Sequence, residues 1–131
     1  MYRFLLVDDE PQMLSVLGRV LAAIPVSELD GEQPDIEAFS SANLALRRAD
    51  EVMFDLVIFD LQMPEVSGVD FLSRLLTRQP KIVRICLTGD PENPAVEGAL
   101  QSFDDCPVLG KPWRNSELRS AIVNGLAGRA T

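Results

Sequence analysis

Three carboxylates, one hydroxyl and one ammonium group stand at the ends of successive apolar runs in this sequence. In chain order they are Asp8, Asp9, Asp60, Thr88 and Lys111. If the runs are strands of one parallel sheet, their carboxyl ends share an edge, which is where open α/β sheets place their chemistry. We therefore expect these five side chains to converge.

The expected cluster is chemically suited to phosphoryl transfer. Three close carboxylates repel one another unless a cation is present, and a hard divalent ion held by oxygen ligands suits Mg²⁺. Thr88 offers a hydrogen-bond donor and Lys111 a mobile positive charge, which together with the metal would neutralise an incoming phosphoryl group. The nucleophile would be a carboxylate and the product an acyl phosphate.

Each of these residues also has an ordinary structural interpretation. Asp8 and Asp9 would cap the first helix, and Asp60 would cap a turn. Thr88 would be a strand-end or helix-cap residue, and Lys111 a solvated surface side chain. The functional interpretation rests on all of them falling at the ends of successive apolar runs, which coincidence seldom produces.

Length and composition predict one globular domain over residues 1–131, since 47% of the residues are apolar and 24% are charged. The net charge of −8 argues against nucleic acid or an anionic membrane as a direct partner. The sequence has no apolar run of membrane-spanning length and no signal peptide, so we expect a cytoplasmic protein. Histidine is absent, which excludes histidine-based triads and metal sites within this chain. Cys86 and Cys106 are expected to be buried thiols in a reducing compartment.

The apolar pattern alternates between strands and helices. Strands are predicted at residues 4–7, 36–39, 56–59, 82–87 and 106–109. Five helical patterns follow them, the second capped by Ser40 or Ser41 and the fourth extending to Phe103. Five strands alternating with five helices predict an α/β fold with a doubly wound, five-stranded parallel sheet, whose central strand is the wholly apolar run 56–59.

Four short motifs carry a resemblance to a known family. They are FLLVDDEP at residues 4–11, DLVIFDLQMPEVSG at 55–68, CLTGD at 86–90 and GKPW at 110–113. In this order and spacing the sequence resembles the receiver domain of two-component response regulators over essentially the whole chain. The resemblance implies a flavodoxin-like sheet with the strand order 2-1-3-4-5.

The resemblance also implies a role for each acidic residue. Asp60 would accept a phosphoryl group from a phosphohistidine of a sensor histidine kinase or phosphotransfer protein. Asp8 and Asp9 would hold Mg²⁺ together with Asp60 and the backbone carbonyl of Gln62. The protein would then control a C-terminal output domain or a homodimer partner, without catalysing a reaction on other substrates.

The remaining site residues follow from the same resemblance. Thr88 would bond a phosphoryl oxygen on activation, and Lys111 would pair with the phosphoryl group. Gly89 matches a position where the family has a small residue for access. The bond between Lys111 and Pro112 would be cis.

Two segments depart from the family pattern. The family usually has an aromatic residue three positions before the lysine, whose rotation reports the state of the threonine, but this chain has Val108. The Gly-Ala pair common before the fifth strand is replaced by Phe103-Asp104-Asp105. Neither change touches the predicted phosphorylation chemistry, but the output surface around the fourth helix is expected to be atypical.

Three rival functions have different sequence requirements. A phosphatase of the haloacid dehalogenase type needs a second aspartate two residues after the first, where this chain has Gln62. A flavodoxin-like FMN binder needs a hydroxyl- and glycine-rich loop after the first strand, and the acidic residues there would repel a phosphate. A degenerate receiver that acts as an unphosphorylated interaction module would be expected to lack one of the acids or the lysine, and all are present.

Overall fold

Five parallel strands form one sheet in the order β2-β1-β3-β4-β5, as the resemblance implied. The protein is represented by a computed structural model that describes residues 1–101, 103 and 105–129. The elements are β1 (Arg3–Val7), α1 (Pro11–Ala22), β2 (Asp35–Phe39), α2 (Ala42–Glu51), β3 (Leu56–Asp60), α3 (Gly68–Arg78), β4 (Val83–Thr88), α4 (Pro94–Leu100), β5 (Val108–Gly110) and α5 (Asn115–Arg129). The predicted alternation of five strands and five helices is therefore confirmed.

The strand β3 lies at the centre of the sheet, with all five of its residues buried. It pairs in parallel with β1 on one side and with β4 on the other. Alternate residues serve opposite layers of the molecule: Val57 packs in the core formed with α2, α3 and α4, and Leu56 in the core formed with α1 and α5. This burial on both faces explains the uninterrupted apolar run in the sequence.

The edge strands and helix caps follow local sequence signals. The half-polar β2 lies at one edge of the sheet and is only partly buried, which fits the alternation of apolar and polar residues along it. Of the two serines proposed as caps of α2, Ser41 is the one whose hydroxyl accepts the Leu44 N–H. The segment between α1 and β2 contains one short 3-10 turn at Val26–Glu28.

Two predicted boundaries near the end of the chain are wrong. The fifth strand was expected at residues 106–109 but lies at Val108–Gly110. The Asp105 backbone has a φ of 50°, so the chain turns sharply there before the ladder to β4 begins at the carbonyl of Pro107. The helix α4 ends at Leu100, and the Phe103 N–H closes a turn on the Leu100 carbonyl. Asp104, named among the departures from the family pattern, lies outside the described residues.

The two cysteines differ in their exposure. Both are free thiols, and Cys86 is buried as expected, whereas Cys106 is only partly buried. Burial raises the pKa of the Cys106 thiol to about 12 and also raises that of Cys86. Both thiols are therefore protonated and weakly nucleophilic at neutral pH.

Among the described helices, none has both the length and the apolar composition needed to cross a membrane.

A buried glutamine joins α3 to the chain that leads into β3. Gln79 is 1% exposed and caps the end of α3. Its side-chain oxygen accepts the Phe54 N–H at 2.8 Å, and its amide nitrogen donates to the carbonyls of Ala49 and Val52 at 2.9 and 2.8 Å. The side chain of Gln79 thus satisfies three backbone groups in or next to the core. The position of Gln79 before a proline in the sequence did not reveal this role.

Replacing Gln79 with alanine is expected to lower the free energy of unfolding by about 3 kcal/mol, because each buried polar group left unpaired costs about 1–3 kcal/mol. Urea unfolding measures the loss. Gln12→Ala, on the exposed side of α1, is the matched control and should change the value by less than about 0.5 kcal/mol. Similar values for the two variants would show that the hydrogen bonds of Gln79 contribute no net stability.

Candidate functional site

The carboxyl edge of the sheet carries the polar residues that the sequence singled out. Asp60 is the last residue of β3, and Thr88 is the last residue of β4. Asp8 and Asp9 follow β1 directly, and Lys111 follows β5. Since β1, β3, β4 and β5 are neighbours in the sheet, its parallel topology is what brings these residues to one edge.

Three carboxylates form a compact cluster at this edge. One oxygen each from Asp8, Asp9 and Asp60 can be chosen so that all three lie within 4.8 Å of one another. Asp8 is 1% exposed and Asp60 6% exposed, whereas Asp9 is open to solvent. The cluster is therefore buried on the side of the sheet and accessible on the side of Asp9.

Lys111 supplies the counter-charge to the two buried acids. Its Nζ donates to Asp8 Oδ2 at 2.8 Å and to Asp60 Oδ2 at 3.0 Å. Burial alone would lower the pKa of Lys111, but the hydrogen bonds to both carboxylates outweigh that effect, so the pKa lies above its ordinary value. The ammonium is therefore charged at neutral pH, and the cluster keeps an excess of negative charge.

Backbone amides fix the second oxygen of each buried carboxylate. The Glu10 N–H donates to Asp8 Oδ1 at 2.9 Å, and the Gln62 N–H donates to Asp60 Oδ1 at 3.1 Å. The interpretation of Asp8 and Asp9 as helix caps is wrong, because the residue at the cap position of α1 is Glu10. Asp8 is instead oriented by an amide on one side and an ammonium on the other.

Thr88 lies at the same edge but is engaged elsewhere. It is 1% exposed, and its Oγ1 accepts the Asp90 N–H at 3.2 Å. Its carbonyl accepts the Lys111 N–H at 2.8 Å, which links the ends of β4 and β5. Within the part of the chain that the structure describes, the Thr88 hydroxyl has no hydrogen bond to Asp60. The structure thus brings Lys111 into contact with the acids and holds the threonine against its own loop.

The lysine is followed by the cis Lys111-Pro112 peptide bond that the resemblance implied.

A glycine allows the loop after Asp60 to close tightly. The Gly68 N–H donates to the Leu61 carbonyl at 2.8 Å, and Ser67 caps α3 from the preceding position. A Cβ at Gly68 would lie 2.5 Å from the Leu61 Cα and 2.8 Å from the Asp60 carbonyl oxygen. The helix α3 therefore begins against the backbone of the residue after Asp60.

Gly68→Ala is expected to lower the free energy of unfolding by about 2 kcal/mol or more, because the new methyl group must displace backbone that cannot move freely. Gly18→Ala in α1 is the control: nothing lies within 4 Å of a Cβ there, so the substitution should raise the stability by about 0.5–1 kcal/mol. Urea unfolding of both variants tests the opposite signs. A Gly68→Ala variant as stable as the wild type would contradict the close approach.

The donor set fits a hard divalent cation. Mg²⁺ prefers oxygen ligands, and in proteins it is usually bound by one or two carboxylates while it keeps several of its waters. Asp9 is exposed and has no hydrogen bond or ion pair among the described residues, so its oxygens remain available. The three acids and the single ammonium of Lys111 leave about two negative charges for a cation to balance.

The sequence comparisons give the family. Residues 4–123 match the response regulator receiver domain. A protein-glutamate methylesterase/protein-glutamine glutaminase of Rhodopseudomonas palustris is 32% identical over 69% of this chain and 23% of its own length. The positive alginate biosynthesis regulatory protein of Pseudomonas aeruginosa is 33% identical over 90% of this chain and 44% of its own length. The chain thus spans less than half of each of these two relatives.

Solved structures share the whole fold. The signal receiver domain of an HD domain-containing protein from Pseudomonas fluorescens superposes with a TM-score of 0.80 at 27% identity, covering 98% of this chain and 97% of that one. A CheY-like receiver domain protein from Methanospirillum hungatei gives a TM-score of 0.83 at 22% identity, covering 99% and 97% of the two chains. The fold is the flavodoxin-like fold of receiver domains, and the chain belongs to the response regulator receiver family.

Proposed function

We propose that this receiver domain is a phospho-accepting switch in which Asp60 takes a phosphoryl group from a phosphohistidine. The donor would be a sensor histidine kinase or a phosphotransfer protein. The observation that carries the proposal is the position of Asp60: a buried carboxylate at the end of the central strand, 3.0 Å from the Lys111 ammonium and next to two further acids. If Asp60 only capped a turn, it would need neither the Lys111 ammonium nor the two further acids beside it.

The transfer would be a direct displacement at phosphorus. An Asp60 oxygen forms the new O–P bond while the P–N bond to the partner's histidine breaks, and the bonding electron pair returns to the imidazole nitrogen. The product is an acyl phosphate on Asp60. Positioning and charge stabilisation are the protein's main tasks in such a transfer. The Gln62 N–H holds one Asp60 oxygen in place, and Lys111 is placed to neutralise the incoming charge.

Asp8, Asp9 and Asp60, with the backbone carbonyl of Gln62, would hold Mg²⁺. A bound Mg²⁺ supplies positive charge to the phosphoryl oxygens. The side-chain carboxylates support this assignment through their mutual distances and their excess negative charge. Thr88 would donate its hydroxyl hydrogen to a phosphoryl oxygen once the group is attached, since the Asp90 N–H occupies only an acceptor position of its Oγ1.

Membership of the receiver family also suggests the extent, the location and the output of this domain. We infer that residues 1–131 form one receiver domain that acts in the cytoplasm. It would control a C-terminal output domain or a homodimer partner, and turnover would be limited to its own phosphoryl group. The phosphatase alternative is disfavoured because Gln62 stands where the second aspartate would be needed. The interaction-module alternative is disfavoured because the three acids and the lysine are all present, the acids lie together, and Lys111 contacts Asp8 and Asp60.

Phosphorylation by acetyl phosphate in the presence of Mg²⁺ tests the assignment of Asp60. Intact-mass measurement should show one added phosphoryl group on the wild-type protein and none on Asp60→Asn. Asp70→Asn, at an exposed position in the first turn of α3, is the control and should be labelled like the wild type. Labelling that persists in Asp60→Asn would place the acceptor elsewhere, and an unlabelled wild type would favour the interaction module.

Asp9→Asn is expected to weaken Mg²⁺ binding roughly tenfold or more, because it removes one ligand charge. Its stability without metal should remain close to that of the wild type, since Asp9 is exposed and unpaired among the described residues. Asp8→Asn differs, because it also removes the ion pair to Lys111 and should lower the metal-free stability. Calorimetric Mg²⁺ titration and urea unfolding measure the two effects. Unchanged Mg²⁺ affinity in Asp9→Asn would remove this residue from the ligand set.

A further inference from the structure

A groove lies at the amino-terminal edge of the sheet, at the opposite end of β4 from Thr88. Its volume is about 760 Å³, and it runs between the first residues of β4, the chain before β5 and the last turns of α5. Cavities that hold small molecules have volumes of roughly 300–1,000 Å³. The groove is therefore large enough for a ligand, and Asp60 and its neighbours at the carboxyl edge take no part in its lining.

The groove exists because β5 is shorter than β4. The ladder between them begins where Cys86 pairs with Val108, so residues 83–85 have no neighbouring strand on that side. The Cys86 N–H points to this side, because it donates to the Pro107 carbonyl. The N–H and carbonyl of Arg84, two residues earlier in the strand, point the same way. Proline has no N–H with which to extend the ladder. The backbone of Arg84 therefore faces the groove without a backbone partner among the described residues.

Small residues form the wall of the groove on the side of α5. Gly125 packs tightly on β4: a Cβ built there would lie 2.5 Å from Val83 Cγ1, so a larger residue would push the helix away from the strand. Ala121 lies one turn earlier on the same face of α5 and also lines the groove. Val83, Ala121 and Gly125 thus give the groove an apolar side.

Arg84 brings a positive charge into the groove, in a chain whose net charge is −8. It is the only charged residue of β4. Its guanidinium is held by two backbone carbonyls: Nε donates to that of Ile82 and Nη2 to that of Pro80, both at 3.2 Å. Neither bond neutralises the charge, and among the described residues no carboxylate pairs with it. The guanidinium is therefore fixed in position, and its Nη1 remains available to an anionic ligand.

Two further charged side chains line the groove. Lys81 is exposed and has no ion pair within the described part of the chain. Asp105 is also exposed, and it is the only carboxylate among the described lining residues. Two cations against one carboxylate leave the groove with about one positive charge. Charge-assisted hydrogen bonds from guanidinium and ammonium groups are the usual way in which proteins bind phosphate and carboxylate oxygens.

We propose that this groove binds a small organic phosphate monoester. Its phosphate group lies against Arg84 and Lys81, and its apolar part lies against Val83 and Ala121. A carboxylate has the same oxyanion chemistry, but a phosphate monoester carries close to two negative charges and three acceptor oxygens, so it matches two cations better. The proposal does not depend on the phosphorylation of Asp60, which lies at the opposite edge of the sheet.

Phenyl phosphate is the probe, added to the full chain without Mg²⁺ and followed by amide NMR. It should bind saturably with a dissociation constant of about 1 mM or lower. The shifts should centre on the amides of Lys81, Arg84 and Gly125. No saturable shift at roughly ten times that concentration, or shifts confined to the carboxyl edge of the sheet, would overturn the proposal.

Inorganic phosphate and benzoate separate the two parts of the ligand. Inorganic phosphate should bind roughly threefold more weakly or less, because it has no apolar part to bury. Benzoate should also bind more weakly, because it carries a single charge. Benzoate that binds as tightly as phenyl phosphate would overturn the assignment to a phosphate. Inorganic phosphate that binds as tightly would overturn the apolar contact.

Charge substitutions in the groove provide the second test. Arg84→Gln should weaken the binding of phenyl phosphate roughly fivefold or more, since it removes a charge-assisted hydrogen bond. Lys81→Gln should weaken it roughly twofold, because an exposed charge contributes less. Asp105→Asn should act in the opposite direction and tighten binding, because it removes the carboxylate that repels the ligand. Asparagine tolerates the φ of 50° at this position.

Arg47→Gln, at an exposed position of α2, is the matched control and should leave the affinity as in the wild type. Wild-type affinity in Arg84→Gln, or an equal loss in Arg47→Gln, would show that the groove does not hold the phosphate. Lys81→Gln and Asp105→Asn decide the question if Arg84→Gln does not fold, since both change exposed side chains. Wild-type affinity in both of these variants would also overturn the proposal.

Discussion

One ammonium group makes the carboxyl edge of this sheet possible. Asp8 and Asp60 are almost fully buried, and a buried carboxylate without a partner is strongly unfavourable. Lys111 reaches both at 2.8 and 3.0 Å, while amides of the following loops hold the other oxygens. The three strands that end at these residues are thereby tied together at their polar ends. The same arrangement leaves an uncompensated negative charge that a cation can balance.

The central strand β3 combines an apolar segment that packs in the core with a polar last residue that belongs to the site. Its first four residues are apolar and pack into the cores on both faces of the sheet, which fixes the strand against β1 and β4. The position of its last residue, Asp60, is therefore fixed by the strand. Gly68 lets the helix α3 begin in close contact with the backbone of Asp60 and Leu61. A rigid, apolar strand is what allows a polar side chain at its end to be held within hydrogen-bond distance of its neighbours.

The sequence predicted the features that arise from periodicity and failed where single contacts decide. Apolar runs, the alternating pattern of β2 and helical spacing were sufficient for the five strands, the five helices and the shared polar edge. The position of β5 was wrong because it depends on the turn at Asp105 and on which carbonyl first meets β4. The network of Gln79 and the close approach at Gly68 were missed, since both depend on residues distant in sequence.

The helices α3 and α4 lie on the same face of the sheet but are packed to different extents. The helix α3 is held by several large buried side chains, among them Phe71, Leu72 and Leu75, and displacing it would disrupt a close-packed core. The helix α4 has seven residues and borders a cavity beside Val108. The short Val108 side chain therefore leaves space between β5 and α4, while Val96 and Leu100 still anchor this helix in the core.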